Sequence, residues 1–193
     1  MSKKEFVTSK FYYGFPVFII GYKDENHGYN CTTLSSSYSL GNMMVIGIYR
    51  HGNAIKQIKK YREFTVNVPD KSLMNEIEME GFISGEDKFS IISSLTHHKS
   101  ERIDAPIIEN CFLNIECEVV DIIESTEFKD YSHIIAKVKG RLIDEEFLKD
   151  GVFVHEKFDA VVCAGDEKLR SYRYLSQEFE GVGSFYHKSS TTL

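Results

Sequence analysis

The 193-residue sequence has no tryptophan, only three prolines, and no apolar run near the roughly 20 residues that a membrane-crossing helix needs. A membrane-spanning helix is therefore not expected. Its four cysteines, Cys31, Cys111, Cys117 and Cys163, form no Cys-x-x-Cys pair. Their scatter argues against a thiolate metal site and suits reduced core thiols in a cytosolic protein. No glycine-rich dinucleotide fingerprint is present, so a nicotinamide has no Rossmann-type loop to bind. Positive charge is scarce too: 23 Lys and Arg against 29 Asp and Glu give a net charge of -6. That balance argues against a broad surface for nucleic acid or for an anionic membrane, although a small anion needs only a local basic patch. The first residues, Met-Ser-Lys-Lys-Glu-Phe, hold no apolar segment, and no secretory signal is expected. A cytoplasmic protein is the resulting expectation.

Against these absences stand 14 Phe and 11 Tyr, with 42% hydrophobic residues. So many rings suit a β-rich core or a pocket for a flat ligand. The length fits one domain, 1–193, with a core over about 11–175 and a polar tail over 181–193. Phe15–Tyr22 reads as one buried strand, Asp24–Gly28 as a turn and Tyr29–Leu34 as the returning strand. Met43–Tyr49 is the next strand. Asn53–Tyr61 predicts a helix capped by Asn53, with Ala54, Ile58 and Tyr61 on one face and Lys56, Lys59 and Lys60 on the other. Glu63–Val68 alternates as a strand. Helices are expected over Ser72–Glu80, capped by Ser72, and over Glu86–Thr96, where Phe89, Ile92 and Leu95 recur about a turn apart. Ala105–Ile108 reads as an extended linker. Phe112–Glu124 and His133–Ile143 alternate over long stretches and predict an antiparallel pair, and Phe158–Cys163 is the last strand. Strands do not alternate regularly with helices, which argues against a doubly wound parallel sheet. The expected class is mainly β, a barrel carrying a few short helices.

Four stretches could carry chemistry. Gly28–Ser39 sets Asn30, Thr32, Thr33, Ser35, Ser36 and Ser37 between two apolar strands with no charge among them. Short hydroxyl and amide side chains make turns, yet this many also build a surface for a polar or anionic ligand. Arg50-His-Gly-Asn53 leads into a basic helix, whose N-terminus is a ready anion site. Glu80–Phe89 bends through Gly81 and Gly85, then places Lys88 and Phe89 on opposite sides, one to present a charge and one to bury a ring. His133 opens a long strand. Alternation puts it on the polar face with Lys137, so either a bulge turns it inward or it faces a site between subunits. His97-His98, beside Lys99, reads as a solvated pair. Cys31 with His133 leaves a cysteine hydrolase open, though nothing here forms a nucleophile elbow. A non-redox binding module is open as well.

In order along the chain come an apolar strand, Asn30-x-Thr32, a Ser-rich loop, Phe64-x-Val66-Asn67, Ser84-Gly-x-x-Lys88-Phe89, Ala105-Pro-Ile-Ile-Glu109, Leu113-x-Ile-Glu-Cys117 and His133-x-Ile-x-x-x-Val138. Together they resemble the flavin reductase-like family of FMN-binding split barrels, which includes flavoredoxins, over roughly Phe11–Leu175. The resemblance implies a Greek-key antiparallel barrel and a homodimer. It also implies non-covalent FMN, with FAD as the alternative, and NADH or NADPH as donor in many members. A flavoredoxin-type electron carrier working with a redox protein partner is the alternative activity. Carried over residue by residue, the positions lining the flavin are Asn30, Cys31, Thr32, Thr33, Ser35, Ser36, Asn53, Ala54, Lys88 and His133. Asn67 is expected to be structural. Two positions depart from the family: Ser36 stands where a large aromatic is common, and Ala54 where a threonine usually opens the first helix.

Overall fold

The computed structural model describes residues 2–176 together with 178, 180–182 and 184, so most of the expected polar tail lies outside the described residues. The chain runs β1 (Phe11–Pro16), β2 (Phe18–Asp24), β3 (Gly28–Leu34), β4 (Ser37–Leu40), β5 (Met43–Tyr49), α1 (Asn53–Tyr61), β6 (Glu63–Val68), α2 (Met74–Phe82) and α3 (Lys88–Ile91). It continues through β7 (His97–Lys99), β8 (Pro106–Ile108), β9 (Leu113–Glu124), β10 (Tyr131–Ile143), β11 (Leu148–Lys149), β12 (Val152–Phe153), β13 (Val161–Asp166) and β14 (Arg170–Tyr174). The mainly β, antiparallel expectation is met.

One seven-stranded sheet, ordered β3-β2-β6-β9-β10-β5-β4, forms the barrel wall. Its edge strands β3 and β4 are consecutive in the chain, and the Ser35-Ser36 link between them closes the wall. The Gly47 N–H donates to the Ser36 carbonyl at 2.8 Å, extending the β4–β5 ladder into that link. Phe18, Ile20, Tyr22, Ile46, Phe64, Val66 and Ile134 fill the interior, and α1 caps it with Ala54, Ile55 and Ile58. A second core lies outside the wall, where Ile19 and Cys31 pack against Leu73, Ile77, Ile92, Leu95 and Ile108. β2 is therefore buried on both faces, which explains its unbroken apolar run.

The wall's outer face is also covered by β8. Asn67 donates to the Ile19 carbonyl (3.0 Å) and accepts from Ile108 N–H (3.2 Å) and Asn114 Nδ2 (2.9 Å). Asn67 thus ties strands together, as expected of a structural residue. Gly21 permits the close approach: a Cβ there would lie 2.7 Å from the Pro106 carbonyl.

Several boundaries differ from the sequence reading. Phe15–Tyr22 is split. Pro16, with no N–H, ends β1, and Val17 donates to the Val161 carbonyl at 2.8 Å as the chain crosses from the β1-β13-β14 sheet into the wall. Gly52, not Asn53, occupies the cap position of α1; Asn53 is the first helical residue, and its Oδ1 accepts from Gln57 Nε2 while its Nδ2 donates to Asp24 Oδ2 at 2.7 Å. Asp70, not Ser72, caps the turn before α2, accepting from Ser72 N–H at 2.7 Å. The helix expected over Glu86–Thr96 shrinks to the four residues of α3, because the chain leaves the helix at Ile92 (φ -101, ψ 72) to form β7. The linker Ala105–Ile108 is strand β8, paired with β7. The last strand begins at Val161 rather than Phe158, and β14 follows it.

Candidate functional site

Edge strand β3 sorts its side chains by alternation. Asn30, Thr32 and Leu34 share the interior face with their β2 partners Tyr22, Ile20 and Phe18. Cys31 and Thr33 face outward against α2. Lys88, the first residue of α3, reaches the wall from outside. Its Nζ donates to Thr32 Oγ1 (3.1 Å) and to the Glu80 main-chain carbonyl (2.7 Å). The Asn30 amide holds this arrangement. Its Nδ2 donates to the Glu86 carbonyl at 2.8 Å, and its Oδ1 accepts from Cys31 N–H at 2.9 Å and Lys88 N–H at 3.4 Å. Asp87 caps α3 by accepting from Ser90 N–H at 3.1 Å. Phe89 packs partly buried against the second core, in line with expectation, but Lys88 is buried rather than presented to solvent, at 3% exposed. The Phe89 ring, half-buried, stacks on His97 at 3.9 Å, so His97 is not solvated as expected.

Burial lowers the pKa of Lys88, opposed by Glu80. The Glu80 carboxyl, 1% exposed, is pushed up to about 7 by burial, with Lys88 pulling the other way. A buried cation and a buried carboxyl with a displaced pKa, met at a sheet edge, are a functional-site signature. Glu80 was not singled out from sequence. The available signal was its place on the stripe Leu73, Ile77, Glu80, a charge where a third apolar residue belongs.

Lys88 has three N–H donors and two protein acceptors among the described residues, which leaves one donor unspent. The hydroxyls of Ser35 and Ser36 have no partner among those residues either, and Ser36 is exposed. A flavin presents carbonyl, ring-nitrogen and phosphate acceptors, so this donor set fits such a group. Lys88, Thr32, Ser35 and Ser36 are the side chains able to hold it.

The remaining expected positions lie elsewhere. Asn53 links α1 to the buried Asp24 and to Gln57 Nε2 (3.2 Å), and Ala54 is 6% exposed within the interior core, so its methyl packs there. His133 is exposed on the outer face of β10, opposite Gly47 and Ile123. The bulges of the β9–β10 pair come after it, at Ile135/Ala136 and Val138/Gly140, so none turns it inward. Ser36 joins His133 on that face, since a Cβ on Gly47 would lie 3.3 Å from Ser36 Cβ. The hydrolase reading loses its geometry. Cys31 is fully buried with its thiol pKa pushed far up by burial, and His133 stands on the outer surface of β10, an internal strand four places along the sheet from β3.

The family model for the flavin reductase like domain matches residues 11–161. The chain belongs to the flavin reductase-like family. An uncharacterised protein of Bacillus subtilis (strain 168) is 26% identical over 135 residues, 62% of this chain and 65% of its own length. The chain thus spans just under two thirds of that relative. Among solved structures, flavoredoxin of Desulfovibrio vulgaris (Miyazaki F) superposes with a TM-score of 0.83 at 22% identity, covering 96% of this chain and 99% of that one. Flavoredoxin from Methanosarcina acetivorans gives 0.81 at 21%, covering 94% and 95%. The flavin reductase-like split barrel is therefore the fold, as the sequence motifs implied.

Proposed function

We propose that this chain is a cytoplasmic flavoprotein oxidoreductase that binds FMN without a covalent bond and accepts reducing equivalents from NADH or NADPH. The observation that carries the reading is the buried Lys88 ammonium, seated on Thr32 at edge strand β3 with one donor unspent among the described residues, in a chain of the flavin reductase-like family. When bound, the flavin supplies the hydride and electron chemistry; the protein binds and orients it. Asn30 fixes the α3 loop and so fixes Lys88. The Lys88 N–H holds an electron-rich edge of the ligand by a charge-assisted bond worth about 1.5–3 kcal/mol. Without a dinucleotide fingerprint, a nicotinamide has to stack directly on the ring.

A homodimer completes the reading. The face around His133 carries exposed Tyr38, Tyr49, Tyr131 and Ile123, an apolar band suited to a second copy. His133 then serves a site between subunits, the other of the two roles its position allowed.

The purified chain is titrated with FMN and its visible spectrum recorded. Flavin bands that survive gel filtration support the reading, and a chain that stays colourless contradicts it. Bleaching by NADH or NADPH under argon supports direct nicotinamide use. A bound flavin reduced only by dithionite points to the flavoredoxin-type carrier instead.

A further inference from the structure

Glu80 is a buried acid to which flavin binding by Lys88 assigns no task. Its Oε2 lies 3.2 Å from Thr33 Oγ1, whose single hydrogen is shared with the Ile77 carbonyl at 3.1 Å. Its Oε1 has no partner of hydrogen-bond geometry among the described residues, although the Cys31 thiol lies beside the carboxyl. Lys88 bonds the main-chain oxygen of Glu80, not its carboxylate.

The groups facing the carboxyl come from every element around it. Cys31 and Thr33 lie on β3, Lys88 on α3 and Glu76 on α2, with Cys111 and Tyr22 close enough for their acidity to respond to its charge. Lys88 is the one cation among them. A negative charge on Glu80 is therefore supported by the same ammonium that the flavin reading assigns to the ligand. Drawing an electron-rich ligand edge onto Lys88 divides that positive charge and shuts water from the site. Both changes favour the neutral acid.

We propose that loading of flavin onto Lys88 is accompanied by uptake of one solvent proton by the Glu80 carboxylate, which becomes a neutral acid. Glu80 is in this sense a positioning residue, acting through Lys88. The proposal rests on the flavin reading above. Its starting point is favourable, since burial already holds this carboxyl at about 7.

The test is calorimetric titration of the full chain with FMN at pH 7, in buffers of different ionisation enthalpy, for wild type and Glu80→Gln. A group with a pKa about 7 is half-protonated there, so wild type takes up as much as about half a proton per FMN. Above pH 7, where the FMN phosphate is already charged, the wild-type Kd rises by up to about tenfold per pH unit. Glu80→Gln binds FMN without this uptake and without this slope. Equal uptake or equal slope in both proteins overturns the proposal while leaving the flavin reading intact. FMN that does not bind wild type overturns the flavin reading and the proposal with it. Should Glu80→Gln fail to fold, Thr33→Val removes a donor to the carboxylate and shifts the wild-type pH dependence upward. An unmoved pH dependence in Thr33→Val counts against Glu80.

Discussion

Glu80 and Glu116 are both fully buried carboxylates on the outer side of one barrel wall, and they are built in opposite ways. Cys31, Gly21, Thr65, Glu116 and Gly140 follow one another in register across β3, β2, β6, β9 and β10. Glu80 sits over the first of these and Glu116 is the fourth. Glu116 is satisfied at both oxygens: Ser100 Oγ donates to Oε1 at 2.5 Å and Arg102 to Oε2 at 2.7 Å. Gly140 makes the room, since a Cβ there would lie 2.0 Å from Glu116 Oε2. Glu80 keeps one oxygen without a hydrogen-bond partner among the described residues, and Lys88 bonds its main-chain oxygen instead. A closed carboxylate locks the segment before β8 onto the wall. An open one stays responsive to what arrives beside it. Burial is the same in the two; the number of satisfied acceptors is what differs.

Four substitutions sharpen or break this contrast. Glu116→Ala carries the largest expected effect. It removes a buried, hydrogen-bonded ion pair whose Arg102 side chain is half exposed, so the loss is about 2–4 kcal/mol rather than the full figure for a sealed pair. Urea unfolding measures it, and FMN affinity of the folded variant stays at the wild-type value. Lys88→Met comes next. FMN affinity falls about 10–100-fold with the loss of one charge-assisted bond, while far-ultraviolet circular dichroism is unchanged.

Glu80→Gln follows, read through pH. A carboxyl whose folded pKa stands above its ordinary 4.5 makes the native chain bind more protons than the unfolded one between 4.5 and about 7. Stability therefore falls as pH rises through that window, by about 1–3 kcal/mol for the flavin-free wild type. Glu80→Gln lacks this decline. Thermal unfolding at pH 5 and pH 8 shows the difference, and parallel profiles would place the titration in another group. The smallest effect belongs to Ser36→Trp, which restores a large ring at the closure of the wall. Flavin retention on gel filtration rises by less than about tenfold, near 1 kcal/mol. No gain counts against Ser36 as a position beside the flavin.

Much of the architecture was legible because it rests on local periodicity. The alternation of β9 and β10, the amphipathic face of α1 and the polar turn at Asp24–Gly28 all read directly from side-chain order. Short elements did not. α3 and β7 occupy a stretch whose apolar spacing looks helical, and only the pairing of β7 with β8, which is tertiary, ends the helix at Ile92. The alternation of β9 sets Asn114, Glu116 and Glu118 on its polar side; Glu118 is exposed, but Asn114 and Glu116 are not. That both are buried beneath β8 and the Ser100–Ile103 turn depends on contacts distant in sequence. At the site, Asn30, Thr32 and Lys88 were named from sequence motifs, and hydrogen bonds bring them together. Glu80 was missed because a glutamate near a helix end looks solvated until the packing of that helix is known.

The central claim is that Lys88, held on Thr32 by Asn30, is the cation that retains the flavin. FMN fluorescence quenching in parallel titrations of wild type and Lys88→Met tests it most directly. The account predicts saturable binding of one FMN per chain in wild type and a Kd raised at least about tenfold in Lys88→Met, with the fold intact. Equal Kd values in the two proteins would contradict it.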